Sequence, residues 1–419
     1  MRESICCEEK CTVCMACANA CPKSAISVDL NEYGYEKIVI DSKKCISCNL
    51  CTGICNRRSL VAKNTPVKCF ASQSKDSEKV KLSASGGAFQ MLAEIVLENG
   101  GVCYGCKGGF ENGEYIARHT KVTKLEDLPS ILNSKYILSY IGTTYRQVRD
   151  DLKSGRFVLF GGTPCQALGL KAFLNQDFEN LLIVDVICHG VTSKKIFNDY
   201  LMEIERKKNI TVTDYCFRDK KAGWGSNFCY SYYKNHNKNK IKNKHFPKEG
   251  SSHEIHYLRG DISRENCFSC EMSSIKRVSD FTFGDYWAIE VEHPEFITKK
   301  KPALSIHAGI NCIMVNTDKG MKYLSALQKK MVMYEVKLNS ITRHNANLLG
   351  SSRRGKKREF VLEEYRLNGY RKIEKNYNDT VGKRMLLYMM KNIVKTHIPD
   401  RLRVSIYKTK FLRKLLSGE

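Results

Sequence analysis

The sequence predicts two unlike domains and a tail. A small α+β domain comes first, then a larger α/β domain with a mixed sheet and helices around it, then a helical, basic C-terminal stretch. Three observations predict this. The spacing C-x2-C-x2-C-x3-C occurs twice within the first 55 residues. Beyond residue 68, short apolar runs alternate with amphipathic segments of helix length. From Arg343 onward, 20 Lys and Arg stand against 7 Asp and Glu, so more than half of the net charge of +25 sits in the last fifth of the chain. The divisions fall at 1–62, 68–340 and 341–419, with KNTPVK (63–68) as a linker.

The chain has 419 residues and is 42% hydrophobic, ample for packed cores and against disorder. No apolar run is long enough to span a bilayer. The N-terminus, MRESICCEEKC, is charged and lacks an apolar stretch, so the expected location is the cytoplasm. Twenty cysteines in a reducing compartment point to metal or redox chemistry rather than disulfides.

The first run is Cys11, Cys14, Cys17, Cys21, followed by Pro22; the second is Cys45, Cys48, Cys51, Cys55. A lone C-x2-C suits zinc, but two complete four-cysteine runs suit iron–sulfur cubes. The pattern resembles bacterial two-cluster ferredoxins, in which the fourth cysteine of each run serves the other cluster. The expected ligands are Cys11, Cys14, Cys17 and Cys55 for one 4Fe-4S cluster, and Cys45, Cys48, Cys51 and Cys21 for the other. Between the runs, AISVD and YEKIVI alternate as short strands joined at NEYG. Asn56 stands where such ferredoxins usually have proline. Cys6 and Cys7 lie outside the pattern and read as bystanders.

In the larger domain, SASGGAFQMLAEIVLENGG reads as a Gly-rich turn, an amphipathic helix and a Gly stop. RFVLFGGTPCQALGLKAFL reads as strand, loop and helix, with Thr163 as N-cap and Pro164 in the first turn. NLLIVDVICHGVTSKKIFNDYLMEI repeats strand, loop, helix. KNHNKNKIKNKHFPK (234–248) reads as a solvated insertion loop. Cys103 and Cys106 read as core thiols in a strand. Cys165 opens a predicted helix, where the dipole favours a thiolate. With Cys188, at the end of an apolar run, and the Cys267–Cys270 pair, it makes a candidate third 4Fe-4S site. Two buried core thiols at Cys165 and Cys188 would read the same way from spacing alone.

The ordered set SASGG (83–87), NSKY (133–136), GGTPCQ (161–166), DVICHGVTS (185–193), FRDKKAGW (217–224), CFSC (267–270) and FTFGDYW (281–287) resembles the coenzyme F-420 hydrogenase/dehydrogenase beta subunit family. The match runs to about residue 335. The resemblance implies FAD, iron–sulfur clusters, and electron transfer between clusters and a two-electron substrate. It also supports the third cluster. Within it, Ser85, Gly86 and Gly87 open a helix where a phosphate can approach the backbone. Gly161, Gly162 and Thr163 suit close approach to a flavin ring. Lys135 suits an anionic cofactor or substrate group, or plain solvent. Gly284 and Asp285 end an apolar strand, with Asp285 as a flavin-orienting or structural aspartate. His189 is the candidate proton donor.

The tail, VGKRMLLYMMKNIVKTHIPDRLRVSIYKTKFLRKLL, is basic and amphipathic, and Pro399 divides it into two helical pieces. It suits an anionic membrane surface, an acidic partner such as a ferredoxin, or its own domain. No nucleic-acid reader motif accompanies the charge, so no nucleic acid is expected. The sequence therefore reads as a cytoplasmic iron–sulfur flavoprotein of an anaerobic metabolism, supplied by ferredoxin or another donor protein. An electron-transfer subunit of a larger complex and a non-enzymatic sensor or scaffold are the alternatives.

Overall fold

The computed structural model describes residues 5–57, 61–381 and 398–408, with positions 384, 385, 387, 388 and 390. Two four-cysteine runs flank a hairpin of β1 (Ile26–Leu30) and β2 (Glu36–Ile40), paired from Ile26 with Ile40 to Leu30 with Glu36. The alternation of AISVD and YEKIVI thus forms the expected strands. Short helices, Ala16–Ala20 and Leu50–Gly53, carry Cys17 and Cys51 and pack on each other.

The body is an eight-stranded mixed sheet. Its strands are β3 (Lys68–Ser74), β4 (Val102–Glu111), β5 (Glu114–Val122), β6 (Val158–Gly161), β7 (Leu181–Val186), β11 (Phe281–Asp285), β12 (Asn311–Val315) and β13 (Met331–Val336). They lie in the order β13-β3-β12-β11-β7-β6-β4-β5. The central β4, β6, β7 and β11 run parallel, and antiparallel partners close both flanks. Period-two alternation along β7 supplies two cores. Leu182 and Val184 pack with the Ala88–Glu98 helix, while Leu181 and Ile183 pack with the Pro164–Leu174 helix. Burying each such side chain contributes about 1.5–3 kcal/mol.

A second sheet, β8 (Ile210–Cys216), β9 (Asn227–Lys234) and β10 (Asn237–Pro247), runs in the order β10-β9-β8. The Lys- and Asn-rich stretch expected as a loop is therefore the edge strand β10. Most of β10 is exposed on both faces, so no apolar alternation marks it; the backbone ladder to β9 holds it. Lysines along an edge strand also discourage pairing with another chain.

The expected linker is tied down. Asn64 and Arg277 exchange backbone hydrogen bonds of 2.7 and 2.8 Å, and Val67 N–H donates to Val315 O. The Arg358–Thr380 helix, kinked at Gly369, packs Val361, Leu362, Tyr365 and Ile373 into the core beside the Lys194–Lys208 helix. A further helix, Asp400–Lys408, begins directly after Pro399, and its Asp400 accepts from Ser305 Oγ at 2.9 Å. The rest of the basic stretch considered for a membrane or acidic partner mostly lies outside the described residues. Among the described residues, no helix is long and apolar enough to cross a membrane.

Candidate redox site

The N-terminal segment folds around its cysteines at a visible conformational cost. Val13 and Met15 adopt positive φ (49° and 61°), and Ser47 and Asn49 do the same (54° and 60°). These are equivalent positions in the two runs. A left-handed β-branched residue such as Val13 costs about 1–2 kcal/mol. Both runs accept that geometry, which turns successive N–H groups toward a common concavity of the kind that holds phosphate and iron–sulfur anions. A cavity of about 660 Å³ is lined by Cys11, Cys14, Cys17 and Cys55. Burial pushes Cys14 up to about 12 and Cys17 higher still, so the bare thiols keep their protons and cluster binding releases them.

Cys6 lines the same cavity and hydrogen-bonds with Cys11 and Cys55. The bystander reading missed this contact, because Cys6 has no place in the repeat. The second run is wetter: Cys45 and Cys51 are half-buried and Cys48 is exposed. Cys21 closes the Ala16–Ala20 helix, and its sulfur accepts from Ala25 N–H at 3.3 Å.

The first run is pressed into the body. A Cβ on Gly169 would lie 2.9 Å from Cys14 Sγ, so only glycine admits the cysteine there. Asn56, in the usual proline position, is buried and donates to Thr12 Oγ1 (2.9 Å) and Cys165 O (3.2 Å). The Arg146 guanidinium donates to Asn19 O at 2.6 Å and Cys21 O at 2.9 Å. Tyr145 lies within electrostatic reach of Cys14, Cys17 and Cys165.

A second cavity, of about 640 Å³, opens at the carboxyl ends of the parallel strands, where α/β sheets place ligands. Cys165, Cys188, Cys267 and Cys270 all line it. They lie within electrostatic reach of one another: burial and then Cys270, Cys188 and Cys14 raise Cys165, while burial and Cys267 push Cys188 up to about 12. The expectation of a dipole-stabilised thiolate at Cys165 fails here, because burial among protein atoms and neighbouring thiols outweighs the helix end. Gly190 (φ +104°) lets the Cys188 loop pass Cys267. Among the described residues, no three His, Cys, Asp or Glu side chains form a group fit for a single metal ion.

The surroundings fit an anionic group. Arg277 is 1% exposed and lines this cavity, yet Nε, Nη1 and Nη2 have no hydrogen-bond partner. Its ion partner, Asp185, is 3.7 Å away. A buried guanidinium without acceptors is costly unless an anion supplies them. Arg264 also lines the cavity, within electrostatic reach of both Cys11 and Cys267. Four cations (Lys135, Arg218, Arg264, Arg277) face one carboxylate, Asp285.

The other predicted site residues converge on the same cavity. Ser85, Gly87, Lys135, Gly161, Gly162, Thr163, His189, Gly284 and Asp285 all line it. Gly86 does not; a Cβ there would meet Ser72 O at 2.6 Å, so its role is sheet–helix packing. Ser85 Oγ donates to Ile310 O, and Lys135 Nζ to Leu132 O. Burial lowers the Lys135 pKa. His189 is exposed at the rim, with Nδ1 3.3 Å from Asn347 Oδ1. Asp285 forms a 2.8 Å ion pair with Arg218. Cys103 and Cys106 sit three apart on β4, on opposite faces, and cannot act as a dithiol.

Sequence reading missed His119, Arg218 and Arg277. His119 stacks on Phe160, with Nε2 donating to Gly161 O (3.0 Å) and Nδ1 accepting from Ser139 Oγ (2.8 Å) in the neutral form. No periodic pattern marks a lone basic residue. Arg218 alone carries a cue, its place in FRDKKAGW.

Residues 10–58 match the model of the 4Fe-4S dicluster domain, and residues 155–340 match that of the C terminus of the coenzyme F420 hydrogenase/dehydrogenase beta subunit. Residues 155–340 are therefore similar to the C-terminal part of these beta subunits. All four cysteines of the second cavity fall inside this beta-subunit region, and both four-cysteine runs fall inside the dicluster domain. A chain of the F420-reducing [NiFe] hydrogenase complex from Methanosarcina barkeri, from a xenon-derivatised structure, is 14% identical with a TM-score of 0.40, covering 76% of this chain and 91% of that one. No curated protein matches. The chain is an iron–sulfur electron-transfer protein related to these beta subunits.

Proposed function

We propose that the chain is a flavin-dependent iron–sulfur oxidoreductase, passing electrons between ferredoxin-type 4Fe-4S clusters and FAD, and on to or from a two-electron organic substrate. The observation that carries the reading is the convergence of Cys165, Cys188, Cys267 and Cys270 with the glycine loops in one cationic cavity, beside Cys14 of the first run. Residues 1–62 supply two clusters, 68–340 the third cluster and the flavin, and 341–419 the tail.

Bound clusters carry single electrons, and a bound flavin exchanges them for a two-electron transfer. The chain's own residues arrange this. Gly169 and Asn56 hold the Cys11–Cys17 segment against the Cys165 loop. Arg277 and Arg264 place buried positive charge beside the cysteines. His119 pins the Gly161 carbonyl and keeps the Gly161–Gly162 loop open to a planar ring. Ser85 and Gly87 present the start of the Ala88–Glu98 helix to a phosphate. His189, at the rim, carries the proton that accompanies a two-electron transfer.

Anaerobic purification with iron, sulfide and flavin analysis tests the reading. About twelve irons and one flavin per chain are expected, from three four-iron cubes. About eight irons would remove the third cluster, and absent flavin would remove the enzyme reading. The family description as a beta subunit favours a second reading, a protein that hands electrons to a separate catalytic partner. Turnover by the isolated chain with reduced ferredoxin separates the two.

A further inference from the structure

We propose that Arg218 and the stacked Trp224–Trp287 pair form a recognition subsite for a planar ring bearing a carboxylate or phosphate. This rests on the reading above in one respect: the ligand is the substrate, bound beside the flavin rather than being part of it.

Arg218 is 7% exposed and lines the cavity. Its Nη1 donates to Asp285 Oδ2 (2.8 Å) and Tyr136 OH (3.3 Å), whereas the buried Nη2 has no partner. A charged donor held out of water without an acceptor is paid for only if a ligand accepts from it. The Asp285 carboxylate is already engaged at both oxygens, by Arg218 and by Trp224 Nε1 at 3.2 Å. The hydrogen-bonding capacity left open by this pair is therefore a donor, which selects an anion over a cation.

The aromatic half is as specific. Trp287 stacks on Trp224 with ring centroids 4.6 Å apart and planes at 27°, and the Arg218 guanidinium lies 5.9 Å from each ring. Trp287 lines the cavity and is 36% exposed. An indole supported from behind, with free surface beside an unpaired guanidinium N–H, suits a flat ring carrying its charge at the edge. The two motifs that build the subsite, FRDKKAGW and FTFGDYW, are brought together by β11 and the turn after β8.

These are the chain's only two tryptophans, so its intrinsic tryptophan fluorescence reports on this subsite alone. The test titrates the holoprotein with benzoate and phenyl phosphate, using benzyl alcohol as the uncharged control. Arg218→Lys keeps a cation for Asp285 but lacks the second planar N–H. Expected are a saturable fluorescence change with both anions, none with benzyl alcohol, and affinity at least about tenfold weaker in Arg218→Lys at unchanged flavin content. No saturable change in the native protein, or equal affinity in the variant, overturns the proposal. Loss of flavin from Arg218→Lys also overturns it, since the anion would then be the flavin's own phosphate. A native preparation without flavin defeats the function reading instead, and leaves the aryl-anion titration to judge the subsite by itself.

Discussion

At the scale of single residues, burial decides most of the chemistry. His119 is held down to about 4, chiefly by its enclosure, and is neutral near pH 7. A folded value below the ordinary 6.5 gives stability that is complete above about pH 6.5 and is lost as pH falls toward 4, a loss of about 3 kcal/mol at pH 4. His119→Gln should therefore lose about 3 kcal/mol less than the native chain between about pH 7 and pH 4, read from urea unfolding. An identical acid loss in the variant would count against this account. Arg277 acts in the opposite sense. Removing its buried charge in Arg277→Gln would disfavour an added electron nearby, so the cluster proposed for Cys165, Cys188, Cys267 and Cys270 should show a lower reduction potential in a spectroscopic redox titration. An unchanged potential would mean that the guanidinium serves another anion. The two N-terminal runs were legible in the sequence because their cysteines recur at short, fixed spacing, whereas Cys165 and Cys188 were picked out by their place in GGTPCQ and DVICHGVTS. Their acidity was not, since a helix start is visible in GGTPCQ and the depth of Cys165 is not.

At the scale of elements, the strands that lead to the cavity cysteines were readable and the way they are fixed was not. β6 and β7 announce themselves as apolar runs before GGTPC and ICHG. β10 hides, because Lys–Asn alternation has no apolar face and its partner is found only through the backbone. The Ala16–Ala20 helix is too short to hold its place unaided. Arg146, distant in sequence on the Thr144–Lys153 helix, fixes it through carbonyls of Ala18, Asn19 and Cys21. Charge-assisted bonds of this kind contribute about 1.5–3 kcal/mol. Arg146→Ala should thus destabilise the docked segment by about 2 kcal/mol and slow electron passage from the first run to the Cys165 set, with iron content unchanged. Stopped-flow reduction followed at the visible charge-transfer bands checks this; native rates would assign the bond a structural role only.

At the scale of the molecule, the expected division at residue 62 is a change of composition, while the packing crosses it. Val13, Met15 and Ala16 share a core with Tyr145, Phe160 and Leu168, and Tyr35 shares one with Tyr365. A chain beginning at residue 63 should expose this apolar face and self-associate, read by light scattering against the full chain. A stable monomer would show that the two parts pack less intimately than described.

One further consequence follows from the contrast between the two cysteine runs. The Cys14 side is walled in by Gly169, whereas Cys48 faces solvent. Among the described residues the 45–51 loop is the more exposed of the two runs, so a cluster held there is the one an outside partner would meet more readily. On the proposed reading, a carrier docking at that threshold would exchange electrons with a second-run cluster before a first-run one.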